Sequence, residues 1–253
     1  MWYNTAIGII TTSMDQTTTE TSKFSIPLAI VVAGALIAGA LYLTNSNAGE
    51  EKKTVETPPV TIEPISSSDH LLGSPNADII FVEYSDFECP YCKVFHETMH
   101  KIIDEYGKDG KVAWVYRHLP IEQLHSKAAK EAEASECAAD QGGNEAFWKF
   151  ADLLFARTES NNRFDLALLP SLAQEIGLDK ETFTQCLESG KHTQKIAQAV
   201  QEGYAAGAGG TPYSVIVARG ENFPLVGAQP YNNVKSAVEA ILGNGEAVPA
   251  VRP

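Results

Sequence analysis

The sequence has few basic residues and few cysteines, and each shortage excludes a class of protein. Lysine and arginine number 19 against 32 aspartates and glutamates, so the 253-residue chain carries a formal net charge of −13. A chain this acidic does not follow a phosphate backbone, and we expect no nucleic-acid partner. Four cysteines in a chain of this length do not make a small disulfide-rich secreted scaffold. The sequence also has no internal repeat, which argues against a repeat architecture.

Charged side chains are missing from one long stretch near the amino terminus. Residues 24–43 are 20 consecutive uncharged residues, and a helix of that length spans about 30 Å, the thickness of the hydrocarbon layer. We therefore predict one transmembrane anchor at 24–43, after a short polar tail at 1–23. A cleaved signal peptide is the alternative, with Ser46-Asn47-Ala48 as a loose cleavage site, although its apolar core usually has only about 7–15 residues.

The rest of the chain divides into a linker and one folded domain. Residues 44–70 contain three prolines and a serine run without apolar periodicity, which indicates a flexible linker. From residue 71 to 245, short β-branched and aromatic runs typical of buried strands flank a block of helical patterns. The order β-α-β, several helices, then β-β-α predicts an α/β domain with an inserted helical part.

The individual predictions have approximate bounds. The predicted strands are 79–84, 111–117, 213–218 and 223–226. The predicted helices are 90–106, 126–140, 144–157, 166–176, 180–188, 194–206 and 231–242.

Two of the cysteines have the spacing of a redox pair. Cys89-Pro90-Tyr91-Cys92 follows the first strand and opens the first helix, where unpaired N–H groups and the helix dipole favour a thiolate at Cys89. Cys92 lies about one turn further on, so we expect Cys89 to attack and Cys92 to resolve. One alternative is half of a zinc site, although the other cysteines provide no second CxxC. The other is a structural disulfide, whose loop is too small to stabilise much.

A set of motifs around this pair is more specific than the pair alone. The motifs are Phe87-Glu88 before the CxxC, Arg117-His118-Leu119-Pro120 with His125, Gly210-Thr211-Pro212 before a strand, and Gly227-Ala228-Gln229-Pro230 before the last helix. On these motifs, residues 71–243 resemble the DsbA-like branch of the thioredoxin superfamily of thiol–disulfide oxidoreductases. The resemblance implies a thioredoxin fold with a helical insertion at about 126–207.

The resemblance also implies a substrate-binding loop. It places a cis peptide bond before Pro212, with the backbone of Thr211 next to the cysteines and ready to hydrogen-bond an extended substrate. Pro90 and Tyr91, between the cysteines, would line the same surface. The alternative is an ordinary turn proline before a strand.

Glu83 and the residues that flank Cys89 bear on proton transfer and redox poise. Glu83 is an acid within an otherwise apolar strand, and the resemblance implies that it moves protons to and from the resolving thiol; an ion pair at a strand edge is the alternative. Tyr91 stands where the best-known DsbA pattern has a histidine, and Asp86 and Glu88 add negative charge. Both features should raise the pKa of Cys89 relative to a strongly oxidising member.

The remaining cysteines and histidines have simpler interpretations. Cys137 and Cys186 fall on separate predicted helices, and a disulfide between them would staple the helical insertion; two buried thiols are the alternative. His96 and His100 lie four residues apart without the glutamate of a zinc-protease helix, so we predict no metal site. The Glu- and Lys-rich stretch 127–136 is typical of a solvated helix face.

Together these features predict an enzyme that introduces disulfides into secreted or cell-surface proteins, with the Cys89–Cys92 disulfide as its redox centre and no other cofactor. The resemblance implies reoxidation by a quinone-linked membrane partner. We expect a single-pass protein of the cell membrane, with its catalytic domain outside the cytoplasm because this chemistry needs an oxidising compartment. A disulfide reductase or isomerase of the same fold, and a chaperone-like peptide-binding module, remain alternatives.

Overall fold

The computed structural model describes residues 60–243, and the predicted tail at 1–23, the anchor at 24–43 and linker residues 44–59 lie outside this range. Within residues 60–243, no helix is both long enough and apolar enough to cross a membrane. The described elements are β1 (His70–Leu72), β2 (Ile79–Ser85), α1 (Pro90–Tyr106), β3 (Val112–His118), α2 (Ala128–Arg157), α3 (Leu169–Glu175), α4 (Lys180–Ser189), α5 (Thr193–Ala205), β4 (Tyr213–Ala218), β5 (Glu221–Val226) and α6 (Tyr231–Leu242).

The strands form one mixed sheet of five in the order β1-β3-β2-β4-β5. β2 and β3 are parallel and the other neighbours are antiparallel. Parallel neighbours need a crossover connection, and α1 supplies it. β2 is the central strand, and its apolar, β-branched sequence suits burial on both faces. The CxxC, in the loop that follows β2, therefore lies at the carboxyl end of the central strand.

Each face of the sheet carries its own hydrophobic cluster. On one face α1 and α6 pack against the sheet, for example through Phe95 and Val238. On the other face Val82 and Val215 contact the end of α5 and the segment before β1. Because side chains alternate along a strand, Glu83 shares the face of α1.

The helical insertion, α2 to α5, lies between β3 and β4. α2 is kinked at Gly143, whose φ of 67° and ψ of −158° are open mainly to glycine. The two helices predicted on either side of this glycine are therefore confirmed, as the two arms of α2. A disulfide joins Cys137 of α2 to Cys186 of α4. Asp179 is the N-cap residue of α4, and its side chain accepts a hydrogen bond from the Thr182 amide.

The predicted linker extends too far along the chain. Val60 and Ile62 pack against the cluster on the α5 face. The guanidinium of Arg117 binds both carboxylate oxygens of Asp69, at 2.7 and 3.0 Å. The folded part therefore includes residues before 71, and the short strand β1 was also missed. Single apolar residues between prolines and serines give no strand pattern, and their partners come from distant parts of the sequence.

The first arm of α2 is not a solvated helix face. Glu131 and Glu136 are buried, with exposed fractions of 0% and 2%. One carboxylate oxygen of Glu136 lies 3.1 Å from His118 Nε2, and the other accepts a hydrogen bond from Lys195 at 2.6 Å. These partners come from β3 and α5, so the local charge pattern of α2 could not reveal them.

Candidate active site

The thiols of Cys89 and Cys92 lie at the start of α1. Cys89 is the N-cap residue, with extended backbone, and Pro90 follows in the first turn. Both cysteines are free thiols. Cys89 retains an exposed fraction of 4% and Cys92 of 0%, whereas Tyr91 between them is 66% exposed. A substrate approaching from solvent therefore meets Cys89 and the ring of Tyr91 first.

The two thiols differ strongly in acidity. A hydrogen bond from Cys92 lowers the pKa of Cys89 to about 6, although burial opposes the shift, and the backbone amides of Cys92 and Tyr91 lower it further. These amides are unpaired N–H groups of the first helical turn. Burial raises the pKa of Cys92 well above its usual value, and the neighbouring Cys89 and Glu83 add to the rise. Near neutral pH, Cys89 is therefore the thiolate and Cys92 the thiol.

The loop before β4 lies against Cys89. The peptide bond between Thr211 and Pro212 is cis. The thiol of Cys89 donates a hydrogen bond to the carbonyl oxygen of Thr211, with a sulfur–oxygen distance of 3.4 Å. Antiparallel pairing of β2 with β4, in which Tyr84 faces Tyr213, brings these distant parts of the chain together. Thr211 and Pro212 thus stand where the resemblance places a substrate-binding loop.

Glu83 is buried within β2, on the face that carries α1. Its Oε2 accepts a hydrogen bond from Trp114 Nε1 at 2.9 Å, and its Oε1 has no partner among the described residues. Burial raises the pKa of Glu83 to about 7, against the lowering effect of the hydrogen bond from Trp114. The alternative of an ion pair at a strand edge is wrong, since β2 is central and the partner is an indole. An acid with this pKa can take up and release protons near neutral pH.

Comparison with known proteins assigns a family to this arrangement. The sequence model described as thioredoxin matches residues 66–240, which is more than half of the chain. The chain belongs to the thioredoxin family.

Solved structures that are similar to this chain have the same overall architecture. Wolbachia pipientis alpha-DsbA1 is 26% identical, with a TM-score of 0.62 over 71% of this chain and 93% of that chain. A thioredoxin-like oxidoreductase from Silicibacter pomeroyi DSS-3 is 29% identical, with a TM-score of 0.55 over 68% of this chain and 90% of that chain. The mixed sheet with its helical insertion is therefore a DsbA-like thioredoxin fold, as the resemblance implied.

One curated relative of this chain is a much longer protein that is named as an antiporter. The Na(+)/H(+) antiporter NhaA 3 of Salinispora tropica is 35% identical over 156 residues. The match covers 62% of this chain and 22% of the antiporter, so the chain spans about a fifth of that protein's length. The antiporter's name describes the longer protein, and the similarity carries no transport activity to this one.

Residues around Glu83 were missed by the sequence analysis. Tyr116 of β3 and Ser214 of β4 stand directly opposite Glu83 in the strand register. Their hydroxyls, and that of Ser85, are buried without a hydrogen-bond partner among the described residues. The strand sequences contained part of this signal, because Trp114 and Tyr116 are two residues apart, as are Glu83 and Ser85. The cross-strand register that aligns them is a tertiary property.

The acids that flank Cys89 have partners of their own. Asp86 Oδ2 lies 2.8 Å from His125 Nδ1, and Asp86 Oδ1 accepts a hydrogen bond from the Glu88 amide at 2.8 Å. The carboxylate of Glu88 accepts a hydrogen bond from the Asn162 amide. The pKa of Cys89 depends more on its thiol and backbone neighbours than on these two acids. Their negative charge therefore does not prevent the net lowering.

Proposed function

We propose that the protein is a thiol–disulfide oxidoreductase that introduces disulfides into extracytoplasmic proteins through Cys89 and Cys92. The observation that carries the proposal is the unequal acidity of the two thiols, with a pKa of about 6 for Cys89 and a strongly raised pKa for Cys92. A thiol of low pKa is a good leaving group, and stabilising the reduced form makes a dithiol pair more oxidising. The similar protein from Silicibacter pomeroyi is itself named as an oxidoreductase.

The reaction begins from the Cys89–Cys92 disulfide. A substrate thiolate attacks Cys89 Sγ, a mixed disulfide forms and Cys92 leaves as a thiolate. Because the pKa of Cys92 is raised, its thiolate takes a proton, and Glu83, with a pKa of about 7, supplies it. A second substrate thiolate then attacks the substrate sulfur of the mixed disulfide and releases Cys89 as a thiolate. Two electrons pass from the substrate dithiol to the protein.

The substrate chain is held beside the thiols during these steps. An extended peptide lying against Cys89 would hydrogen-bond the backbone of Thr211, whose carbonyl is 3.4 Å from the sulfur. Pro212 follows Thr211 in this loop, and Pro90 with the exposed Tyr91, between the two cysteines, would line the same surface. The hydrogen bonds use backbone groups only, so this surface suits many sequences rather than one.

Anchoring would complete the cycle. The predicted anchor at 24–43 would hold the domain at the outer face of the cell membrane, close to a quinone-linked partner that reoxidises the Cys89–Cys92 pair. The substrates would be cysteine-containing secreted or cell-surface proteins, and no cofactor beyond the redox-active disulfide takes part.

A disulfide reductase or isomerase is the second candidate function. The observation in its favour is Tyr91, which cannot carry the positive charge of a histidine at this position. The pKa of about 6 for Cys89 lies between about 3.5 in DsbA and about 7 in thioredoxin, so its acidity favours oxidation less strongly than the acidity of DsbA does.

The redox state of the pair in cells separates the two functions. Cells are quenched with acid, free thiols are alkylated with a heavy reagent, and the shift of the protein on a gel is measured. A mostly oxidised Cys89–Cys92 pair is expected for an oxidase fed by an electron acceptor. A mostly reduced pair would contradict this proposal and favour the reductase. A C137A/C186A variant serves as the control that assigns the shift to the active-site thiols.

A further inference from the structure

Two histidines of α1 and one aspartate of α2 converge on a single point. Asp152 Oδ1 lies 2.7 Å from His96 Nε2 and 2.8 Å from His100 Nε2. The two Nε2 atoms are 3.1 Å from each other. Residues four apart lie on the same side of a helix, so both rings of α1 face Asp152.

Hydrogen atoms cannot satisfy all three contacts at once. A ring nitrogen presents either one N–H or one lone pair in the plane of its ring. If both histidines donate to Asp152, two N–H groups meet at 3.1 Å. If one Nε2 instead carries a lone pair, that lone pair faces the carboxylate oxygen at less than 3 Å. One cation between the three atoms would accept a lone pair from each of them and remove the conflict.

Contrary to the expectation from the sequence, we propose that His96, His100 and Asp152 bind a divalent transition-metal ion, for which zinc is the best fit. Zinc binds imidazole nitrogen and carboxylate oxygen at about 2.0–2.2 Å, which places the ligand atoms of a tetrahedron about 3.3 Å apart. The observed separations are about 0.2 to 0.6 Å shorter, so the three side chains must open by about this amount to accommodate the ion. Calcium and magnesium prefer oxygen ligands and fit poorly where two of the three donors are nitrogens.

The surroundings leave the site accessible. A cavity of about 440 Å³ opens onto the three side chains. The side chain of Asp152 is 46% exposed and that of His100 is 35% exposed. Three protein ligands with a water molecule from this cavity would complete a four-coordinate site. Among residues 60–243, the carboxylate of Asp152 has no lysine or arginine partner, so its charge is available to a cation.

A second cluster also contains two histidines and one carboxylate, but it is buried and its carboxylate already has a lysine partner. His70 and His118 also converge on one carboxylate oxygen, that of Glu136, at 3.0 and 3.1 Å. Lys195 already neutralises this carboxylate at 2.6 Å, and all three ligand residues are buried. This cluster is a closed hydrogen-bond network and not a cation site.

A third group of potential metal ligands surrounds the Cys137–Cys186 disulfide, but its two sulfur atoms are bonded to each other. Cys137 and Cys186 are joined in a disulfide and cannot bind a metal as thiolates. The aspartate next to them, Asp140, is 2.8 Å from Lys191 and 2.7 Å from His192. His192 therefore offers a matched control, since it is a histidine paired with an aspartate outside the proposed site.

The affinity should be moderate. His96 Nδ1 is buried and has no partner among the described residues. Zinc-binding histidines usually donate this second N–H to another group, which orients the ring and strengthens binding. We therefore expect a single saturable site that is weaker than a structural zinc site.

Calorimetric titration of the full-length chain with zinc chloride tests the proposal. Cys89 and Cys92 are both changed to serine, so that no free thiolate competes, and the Cys137–Cys186 disulfide is kept oxidised. We expect one zinc ion per chain. His100→Gln or Asp152→Asn should weaken binding beyond the ~10- to 100-fold that loss of an outer-shell partner costs, and His192→Gln should leave it unchanged. No saturable binding, equal binding of calcium, or full binding in His100→Gln would overturn the site.

A second measurement needs none of these ligand variants. One equivalent of zinc should shift the imidazole nitrogen resonances of His96 and His100 in a nitrogen-15 spectrum, while the ring of His192 stays unchanged. Shifts confined to other histidines would overturn the proposal even if one ion binds.

Discussion

The two cysteine pairs of this chain are constructed for opposite purposes. Cys89 and Cys92 are free thiols at the start of one helix, whereas Cys137 and Cys186 are bonded across two helices with a sequence separation of 49. In the loop-entropy model, a disulfide of the first kind stabilises the fold by about 2 kcal/mol and one of the second kind by about 4 kcal/mol. Breaking the Cys89–Cys92 disulfide, which closes a short loop, therefore costs the fold little stability. Breaking the Cys137–Cys186 disulfide, which closes a long loop, costs about twice as much.

The buried polar groups near the two cysteine pairs differ in how completely they are hydrogen-bonded. On the α1 face of the sheet, Glu83 Oε1 and the hydroxyls of Ser85 and Tyr116 are buried without partners among the described residues. Near the Cys137–Cys186 disulfide, Glu133 is fully engaged, with Lys130 at 2.8 Å and Thr193 at 2.6 Å, although both carboxylate oxygens of Glu131 on the same helix are buried without partners among the described residues. Unpaired buried groups destabilise a fold. Their position on the face of the redox pair is what a region that exchanges protons requires.

Removing the Cys89 thiol should have the largest effect on activity. Cys89→Ser should abolish oxidation of a peptide dithiol, because no mixed disulfide can form at this position. The C137A/C186A variant should keep its turnover per folded molecule. Both are followed by the appearance of oxidised peptide. If Cys89→Ser still promotes folding of a substrate as well as the unaltered protein does, the chain acts as a peptide-binding module rather than as an enzyme.

Removing the long-range disulfide should have the largest effect on stability. C137A/C186A is expected to lose about 4 kcal/mol of the free energy of unfolding, because the unfolded chain regains the freedom of a long loop. Urea denaturation measures the change, with the Cys89–Cys92 pair reduced in every sample and the Cys137–Cys186 disulfide intact in the unaltered protein. Cys89→Ser, which opens no existing loop, should change it by less than about 1 kcal/mol. A loss of similar size in both variants would contradict the division of roles between the pairs.

Glu83 should give the active-site region its own pH dependence. The carboxyl of Glu83 releases its proton near pH 4.5 in the unfolded chain and near pH 7 in the folded protein. Between these values the folded state holds more protons, so the free energy of unfolding falls as pH rises, by about 3 kcal/mol in total. Glu83→Gln should remove this slope, and it should also slow protonation of the Cys92 thiolate during turnover.

The control for Glu83→Gln is Glu122→Gln, since Glu122 is exposed in the turn after β3. Urea denaturation between pH 4.5 and pH 8 should show the full slope in this control. An unchanged slope in Glu83→Gln would mean that another group titrates in this range.

How far the sequence predicts this structure depends on whether the signal is local. The strand bounds around Glu83 and the helix opened by Pro90 follow from short patterns, and the motif around Pro212 predicts the thioredoxin fold by resemblance. The burial of Glu136 and the row formed by Glu83 with Ser214 depend on strand register and on partners far along the chain. Such contacts become visible only once the sheet is assembled.

The smallest expected effect concerns the dipeptide between the active-site cysteines. Tyr91→His should lower the pKa of Cys89 by about one unit, or ~1.4 kcal/mol, because an imidazolium at this helix end stabilises the thiolate. Tyr91 is 66% exposed, so the change should leave the fold intact. The ultraviolet absorbance of the thiolate, followed against pH, measures the pKa. Tyr91→Asn controls for loss of the ring without added charge. An equal shift in both variants would mean that the tyrosine ring, and not the missing charge, sets the acidity that separates the active-site pair from the structural one.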